Sequence, residues 1–509
     1  MDAAGATPTA FPSSNLKVVV VGAGISGIQF AHDVDTRMSN VDLQIFEKNP
    51  EAGGTGTRTG IQGTTTLQSK QDIFSWAPNP TWSKTYVAGP EIRAYLNAVI
   101  DKHHLDRFIS YNQRCVSAVW CEDASQWTIK FRHEVSQEEL IVQSDVFVYA
   151  VGGQDQFTGK IVHTATWPEG LSTHGKRVGV LGNGASAIQC VGALQYEADE
   201  IFNFVRSPTW VGPSFFIGDR HCIEKELFQY DSESYFRFRV ELERRMSAAF
   251  ALLWKHNPAQ QAAKARAEAF VEENITDPHV VQAVRPDYVP GCRRWTPSEQ
   301  YIASLGRSNV HVIPGHVECL VKERVRTKSS HEYPCDILIC ATGFEPYQPR
   351  FPVKPCESYM AAMVARFPNF FVFNPPHCPV NGSAIPGIER TADYIMRVLH
   401  RLQINCLKSV GIRTEAQREF RKWIQSRMPG MVWTDRCNSW YKARDGRVVV
   451  PWPGTIRHYY AATEIVRWED FELVFQDPSH KFQSFGNGVT KDGFLLDKIP
   501  WVPAPSYKN

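Results

Sequence analysis

The sequence predicts an α/β chain with two Rossmann-like dinucleotide-binding domains, the second carrying a helical insertion. Three observations predict it. Val18-Val19-Val20-Val21 runs into Gly22-Ala23-Gly24-Ile25-Ser26-Gly27 and then into Ile28-Gln29-Phe30-Ala31-His32, a strand, glycine loop and helix in succession. A second such unit runs from Val178 to Gln189, with Gly182, Gly184 and Ala187 at the three glycine positions and Ala185 and Ser186 between. Two apolar strand patterns, Asp145 to Gly153 and Asp336 to Phe344, share one order: acid, apolar run, alanine, glycine turn. Each reads as the strand that closes one unit.

The glycines have separate physical tasks. Gly22 permits the turn after the strand, Gly24 lets a pyrophosphate approach the backbone, and Gly27 lets helix and strand pack closely. Phosphates then meet free N–H groups at the helix N-terminus. The next strand pattern, Val41 to Phe46, ends in Glu47, whose carboxylate suits a ribose hydroxyl pair. After the second glycine loop, the strand pattern Ile201 to Val205 is followed by Arg206-Ser207 rather than an acid. A guanidinium there favours the 2′-phosphate of NADP. The two units therefore imply FAD at the first loop and NADPH at the second.

Composition sets the frame. The chain has 509 residues, of which 43% are apolar, enough for two or three domains with large cores. A net charge of +2 carries no nucleic-acid footprint. Twelve cysteines without paired spacing are expected to be reduced thiols of a cytoplasmic protein, and no zinc pattern occurs. No apolar run nears the roughly 18 residues that span a bilayer, and the first residues lack the basic and apolar regions of a signal peptide. The two sequons, at Asn274 and Asn381, read as incidental.

In chain order, residues 1–16 are expected to be a flexible tail and 17–153 the first part of the FAD domain. Helical spacing there links Ile92, Tyr95, Leu96, Val99 and Ile100, and Trp127 to Val142 alternates as a solvated hairpin does. Residues 154–168 form a linker, and 169–213 begin the NADP domain. Residues 214–290 read as a helical insertion, in which Phe236, Val240, Met246, Phe250 and Leu253 form an amphipathic face expected to be core. Residues 291–345 return to the NADP domain, 346–485 to the FAD domain, and 486–509 are a C-terminal tail.

The linker holds Phe157-x-Gly159-x-x-x-His163-x-x-x-Trp167-Pro168. This resembles the fingerprint of Baeyer–Villiger monooxygenases, within the class B FAD/NADPH monooxygenases. The resemblance covers nearly the whole chain: Ser75 to Ser83, Gly291-Cys292-Arg293-Arg294 followed by Tyr301, Ser439-Trp440-Tyr441, Trp452-Pro453-Gly454 and Arg467 to Asp470 are similar to family segments. It leans towards the fungal, natural-product branch. The resemblance implies a reaction in which NADPH reduces FAD and O2 is captured as a C4a-peroxyflavin that inserts oxygen beside the carbonyl of a bulky ketone or aldehyde. It implies Arg294 as the catalytic arginine and Arg293 as a partner of Arg206 at the 2′-phosphate. Trp440 falls to the nicotinamide ribose, and His163 to interdomain coupling rather than acid–base work. Cofactor contacts are further expected at Lys48, Gly54, Thr55, Asp72 and Val116.

One stretch departs from the family. Gly53-Gly54-Thr55 is followed by Gly56 where the family has tryptophan, and Thr66 stands at the position of an aspartate that contacts flavin and the catalytic arginine. Arg294 thereby loses its expected carboxylate partner, for which Asp72 is the alternative. This leaves other readings open: hydroxylation, epoxidation or heteroatom oxidation on the same fold, or a non-oxygenating isomerase, cyclase or cofactor-binding protein. Against the last, Arg206, Arg293, Arg294 and Trp440 all persist. The expected partners are a small-molecule substrate and O2, and oligomeric state is left open.

Overall fold

The β-branched run forms the strand Leu16–Val21, buried at every position but Lys17, because stiff valine side chains suit a strand covered on both faces. In this computed structural model, which describes residues 13–54, 73–83, 87, 89–150, 162–164, 167–168, 170–213, 228, 230–342, 357–374, 376–443 and 445–487, that strand is the middle of a five-stranded sheet. Val41–Phe46 lies parallel on one side and Val146–Tyr149 on the other. Ile109–Ser110 and Phe370–Val372 form the edges. The last strand comes from late in the chain, so N- and C-terminal segments share one sheet. The helix Ile25–Arg37 packs on one face beside Ala384–Ile404. The other face is covered by an antiparallel sheet of Gln113–Cys121, Gln126–His133 and Glu139–Ser144, through Trp127, Ile129 and Phe131.

The second sheet has the order Val310–Pro314, Glu200–Val205, Arg177–Leu181, Ile337–Cys340, Val162–His163, all parallel. Its edge strand is the middle of the linker fingerprint: Val162 pairs with Ile339, and the Thr164 N–H donates to the Cys340 carbonyl at 3.2 Å. The first part of the fingerprint, 157–161, lies outside the described residues.

The repeated acid of the two closing strands has the same task in both sheets. Asp145 Oδ2 accepts from the Lys17 N–H at 2.8 Å, and Asp336 Oδ2 accepts from the Arg177 N–H at 2.8 Å. Each acid pins the start of its closing strand to the start of the strand that leads into the glycine loop. At the far end, the Ala150 N–H donates to Val21 and the Ala341 N–H to Leu181, both at 2.9 Å.

Helices Ser232–Ala248, Pro258–Asn274 and Pro278–Val284 lie in the region read as an insertion. Their starts are held by the side chains of Asp231, Asn257 and Asp277. One expectation is corrected. Met246 is buried and Phe250 and Leu253 pack on the main core, but Phe236 is 62% and Val240 51% exposed. The buried stripe of this helix is Tyr235, Leu242 and Met246. Phe236 and Val240 lie about 100–140° round the axis from Tyr235, on a face that meets nothing of the core. Among the described residues no helix is long and apolar enough to cross a membrane.

His377 is fully buried, and neither ring nitrogen has a hydrogen-bond partner among the described residues. Burial lowers its pKa from 6.5 to about 4. The ring is neutral in the fold and protonated in the unfolded chain below its ordinary value, so stability falls as pH drops from 6.5 towards 4. Denaturant titrations across this window should show about 3 kcal/mol of loss that His377→Leu flattens; an unchanged acid limb in that variant would disprove the assignment.

Candidate active site

The first loop is set by backbone contacts. Gly22 sits at φ 105°, a conformation that favours glycine. A Cβ on Gly27 falls 2.0 Å from the Gly22 carbonyl oxygen. Gly24 faces Gly54, where a Cβ on Gly54 lies 3.1 Å from the Gly24 Cα. Ala23 donates its N–H to Glu47 Oε2 at 2.8 Å, and Gly53 donates to the Ala23 carbonyl at 2.9 Å. Glu47 is buried at the end of its strand, with Asn49 donating to its other oxygen. Ser26 is buried in the first turn, Lys48 is half-buried beside Glu47, and Val116 sits at a bulge between Cys115 and Ser117. Thr55, Thr66 and Asp72, with the whole departing stretch 56–66, lie outside the described residues.

The helices that follow the two glycine loops start on Gly24 and Gly184, with no side chain capping them and no acid in the first turn. The uncapped N–H groups at both starts suit a bound phosphate. Gly182 is at φ 126° with a Cβ position 2.5 Å from the Ala341 oxygen, whereas a Cβ on Gly184 meets nothing within 4 Å. The backbone at Gly184 is thus open to a ligand, with Ala185 and Ser186 half-exposed beside it. These loops fit two dinucleotides.

Beneath the second loop lies a polar cluster that the sequence did not announce. The fully buried Tyr301 hydroxyl lies 2.9 Å from Asn203 Oδ1 and 3.1 Å from Asn183 Oδ1. Asn203 Nδ2 donates to the Gly182 carbonyl at 2.9 Å. Burial keeps the Tyr301 phenol protonated and able to donate. The cluster joins residues about a hundred positions apart, which no local pattern reveals.

Arg206 is exposed at the end of its strand and has no carboxylate partner among the described residues; Ser207 is half-buried. Arg293 reaches the same turn: its Nη1 donates to the Pro208 carbonyl at 3.4 Å, beside the Tyr288 hydroxyl, which donates there at 2.8 Å. The Arg293 guanidinium thus reaches the turn that follows Arg206. Arg294 is exposed, and no described carboxylate pairs with it. Its charge acts on Tyr441, a buried phenol whose pKa burial raises and Arg294 opposes. Trp440 is 49% exposed, with its ring 4.8 Å from that of Tyr441. It is half-exposed and not a core residue.

The expectation that all cysteines are reduced is corrected by a Cys292–Cys437 disulfide, which spans 145 positions of sequence. Short-range spacing could not predict it. It joins the Arg293-Arg294 turn to the turn carrying Ser439, Trp440 and Tyr441. The free cysteines among the described residues are eight, and no group of three or more metal-ligating side chains occurs there.

Comparison with known proteins places this geometry. Residues 20–88 match the model of an NAD(P)-binding Rossmann-like domain. The FAD-binding monooxygenase tazF of Aspergillus terreus is 30% identical over 528 residues, covering 95% of this chain and 93% of that protein. A Baeyer–Villiger monooxygenase of Streptomyces coelicolor is 27% identical over 506 residues, covering 91% and 94%. The fold is shared with a steroid monooxygenase solved with NADP, at a TM-score of 0.74 and 24% identity over 91% of this chain and 100% of that one. With relatives matched along nearly their full length, the chain belongs to the FAD-binding monooxygenases of the Baeyer–Villiger type, enzymes that depend on FAD and NADPH.

Proposed function

We propose that this monooxygenase inserts one oxygen atom of O2 beside the carbonyl of a bulky ketone or aldehyde of a natural-product pathway, giving an ester or lactone. The observation that carries this reading is the Arg293-Arg294 turn, placed between the Arg206 turn and the turn of Trp440 and Tyr441. FAD, reduced by NADPH, supplies the oxygen-activating chemistry when bound. The chain's own residues bind, orient and shield. The Gly24 and Gly184 helix starts hold the two pyrophosphates. Glu47 stands ready for a ribose at the first loop, while Arg206 and Arg293 grip the 2′-phosphate at the second. Arg294 stabilises negative charge on the attacking oxygen through its planar guanidinium fork. Trp440 lends its half-exposed ring to the nicotinamide side, and burial keeps Tyr441 protonated against the pull of the Arg294 charge.

Incubation with 18O2, NADPH and a panel of polyketide and terpenoid ketones tests the reading. One labelled atom in a ring-expanded lactone or an ester supports it. A labelled alcohol, epoxide or heteroatom oxide points to the second reading, which Thr66 at the position of the family's aspartate favours. Unlabelled product would overturn both.

The phosphate role of Arg206 has its own test. Arg206→Ala should raise KM for NADPH about ten- to hundredfold, the loss of a charge-assisted contact, with KM for NADH little changed. An unaltered NADPH preference would refute it.

A further inference from the structure

We infer that the Cys292–Cys437 bond is a positioning cross-link. It holds the arginine turn against the Trp440 turn, and thereby sets the grip on NADP+ and the yield of oxygenated product per NADPH. The inference rests on the roles proposed above for Arg293, Arg294 and Trp440.

Observations on both sides of the bond carry it. The sulfur atoms sit immediately before Arg293 and three residues before Trp440. On the far side of the arginines, Trp295 abuts backbone: a Cβ on Gly212 falls 2.3 Å from its ring edge. Thr296 and Pro297 then pair with Val211 and Gly212. The Arg293-Arg294 dipeptide is therefore clamped at both ends, by a covalent bond before it and by a strand pair after it. Gly291 begins the clamp at φ 88°, so the chain reverses just before Cys292. The Trp440 turn is fastened in the same way. Asp435 accepts from the Val289 N–H at 2.7 Å, and Lys442 donates to the carbonyls of Asp435 and Cys437.

Both half-cystines are buried, within a small cluster of Trp210, Ala267 and Tyr288. A bond shielded in this way is a standing constraint rather than a fast exchange site, because a thiolate must reach a sulfur to open it. What it constrains is geometry at the nicotinamide side. Arg293 must keep its reach to the Pro208 turn while Arg294, the next residue, keeps its place between the cross-link and the Thr296–Pro297 strand pair. Displacement of a positioned charge by about 1 Å is costly in a catalytic site.

The test compares holoenzyme purified without reductant with Cys292→Ser, Cys437→Ser and the volume-keeping pair Cys292→Val/Cys437→Ala. Wild-type protein digested without reduction should release the two peptides linked. In the variants FAD content should match wild type. The dissociation constant for NADP+ should rise about tenfold and hydrogen peroxide released per NADPH should climb, with the pair no worse than either single variant, as for two groups acting as one unit. Free thiols at both positions in FAD-loaded wild type would overturn the inference. So would variants that lower only the melting temperature and leave NADP+ affinity and coupling intact. If the variants do not accumulate, the peptide map alone decides. Arg293→Ala separates the two levels: if it leaves NADP+ binding unchanged, the reading of the arginine turn has failed; if it weakens binding while the cysteine variants do not, only the cross-link has.

Discussion

Arg294→Ala should retain reduction of the flavin by NADPH and lose about 10²- to 10³-fold in oxygenated product, the usual loss when one charge-stabilising group is removed. The consumed NADPH should appear as hydrogen peroxide. Arg294 does not serve the fold: it is exposed, no described carboxylate pairs with it, and the buried group it acts on is the neutral Tyr441. A guanidinium that pairs with no described carboxylate is free for the role proposed for it. Lysine at this position should recover only part of the loss, because an ammonium cannot present the planar fork. The measurement is product and peroxide per NADPH under air, with FAD occupancy as control. Normal product yield from Arg294→Ala would remove it from the chemistry.

Gly27→Ala should yield no FAD-loaded, folded protein. The added Cβ falls 2.0 Å from a backbone oxygen, that of Gly22, and 3.1 Å from its carbonyl carbon. Neither can step aside as a side chain end would. Gly22 is itself held by its N–H bond to the Phe46 carbonyl at 2.9 Å, and it needs its positive φ. Relief requires the helix Ile25–Arg37 to lift off the central strand, and ordinary overpacking in a core already costs about 1–3 kcal/mol. The second unit offers the contrast: Ala187 stands at the matching position and is fully buried, so Ala187→Gly should cost only about 1 kcal/mol, the penalty of glycine in a helix. Soluble yield and FAD absorbance of the two variants measure this. A Gly27→Ala protein with normal flavin content would show that the loop relaxes more readily than its contacts imply.

Much of this site was legible because its signals are local. Gly22, Gly24 and Gly27 declare a turn, a pyrophosphate approach and a packing contact within six positions; the structure shows the turn at Gly22 and the packing contact at Gly27, and sets Gly24 against Gly54. The repeated acid at Asp145 and Asp336 was visible as an echo, and its task, pinning the closing strand, became visible only with the sheet register. Phe236 and Val240 were misread for the opposite reason. Helical spacing says which residues share a face, but only the neighbours decide which face is covered, and here Tyr235, Leu242 and Met246 take the contact.

The sequence by itself determined the two nucleotide units, the arginine after the second, and the family that the linker fingerprint resembles, since each is written in residues a few positions apart. Tertiary structure alone decided that Arg293 reaches the Arg206 turn, that Tyr301 and two asparagines support the second loop, and that Cys292 is bonded to Cys437 across 145 residues. Such pairs leave no periodic trace in the chain. They are set by where the sheets and the helical insertion bring distant turns together, and it is there that the proposed nicotinamide side of the site is assembled.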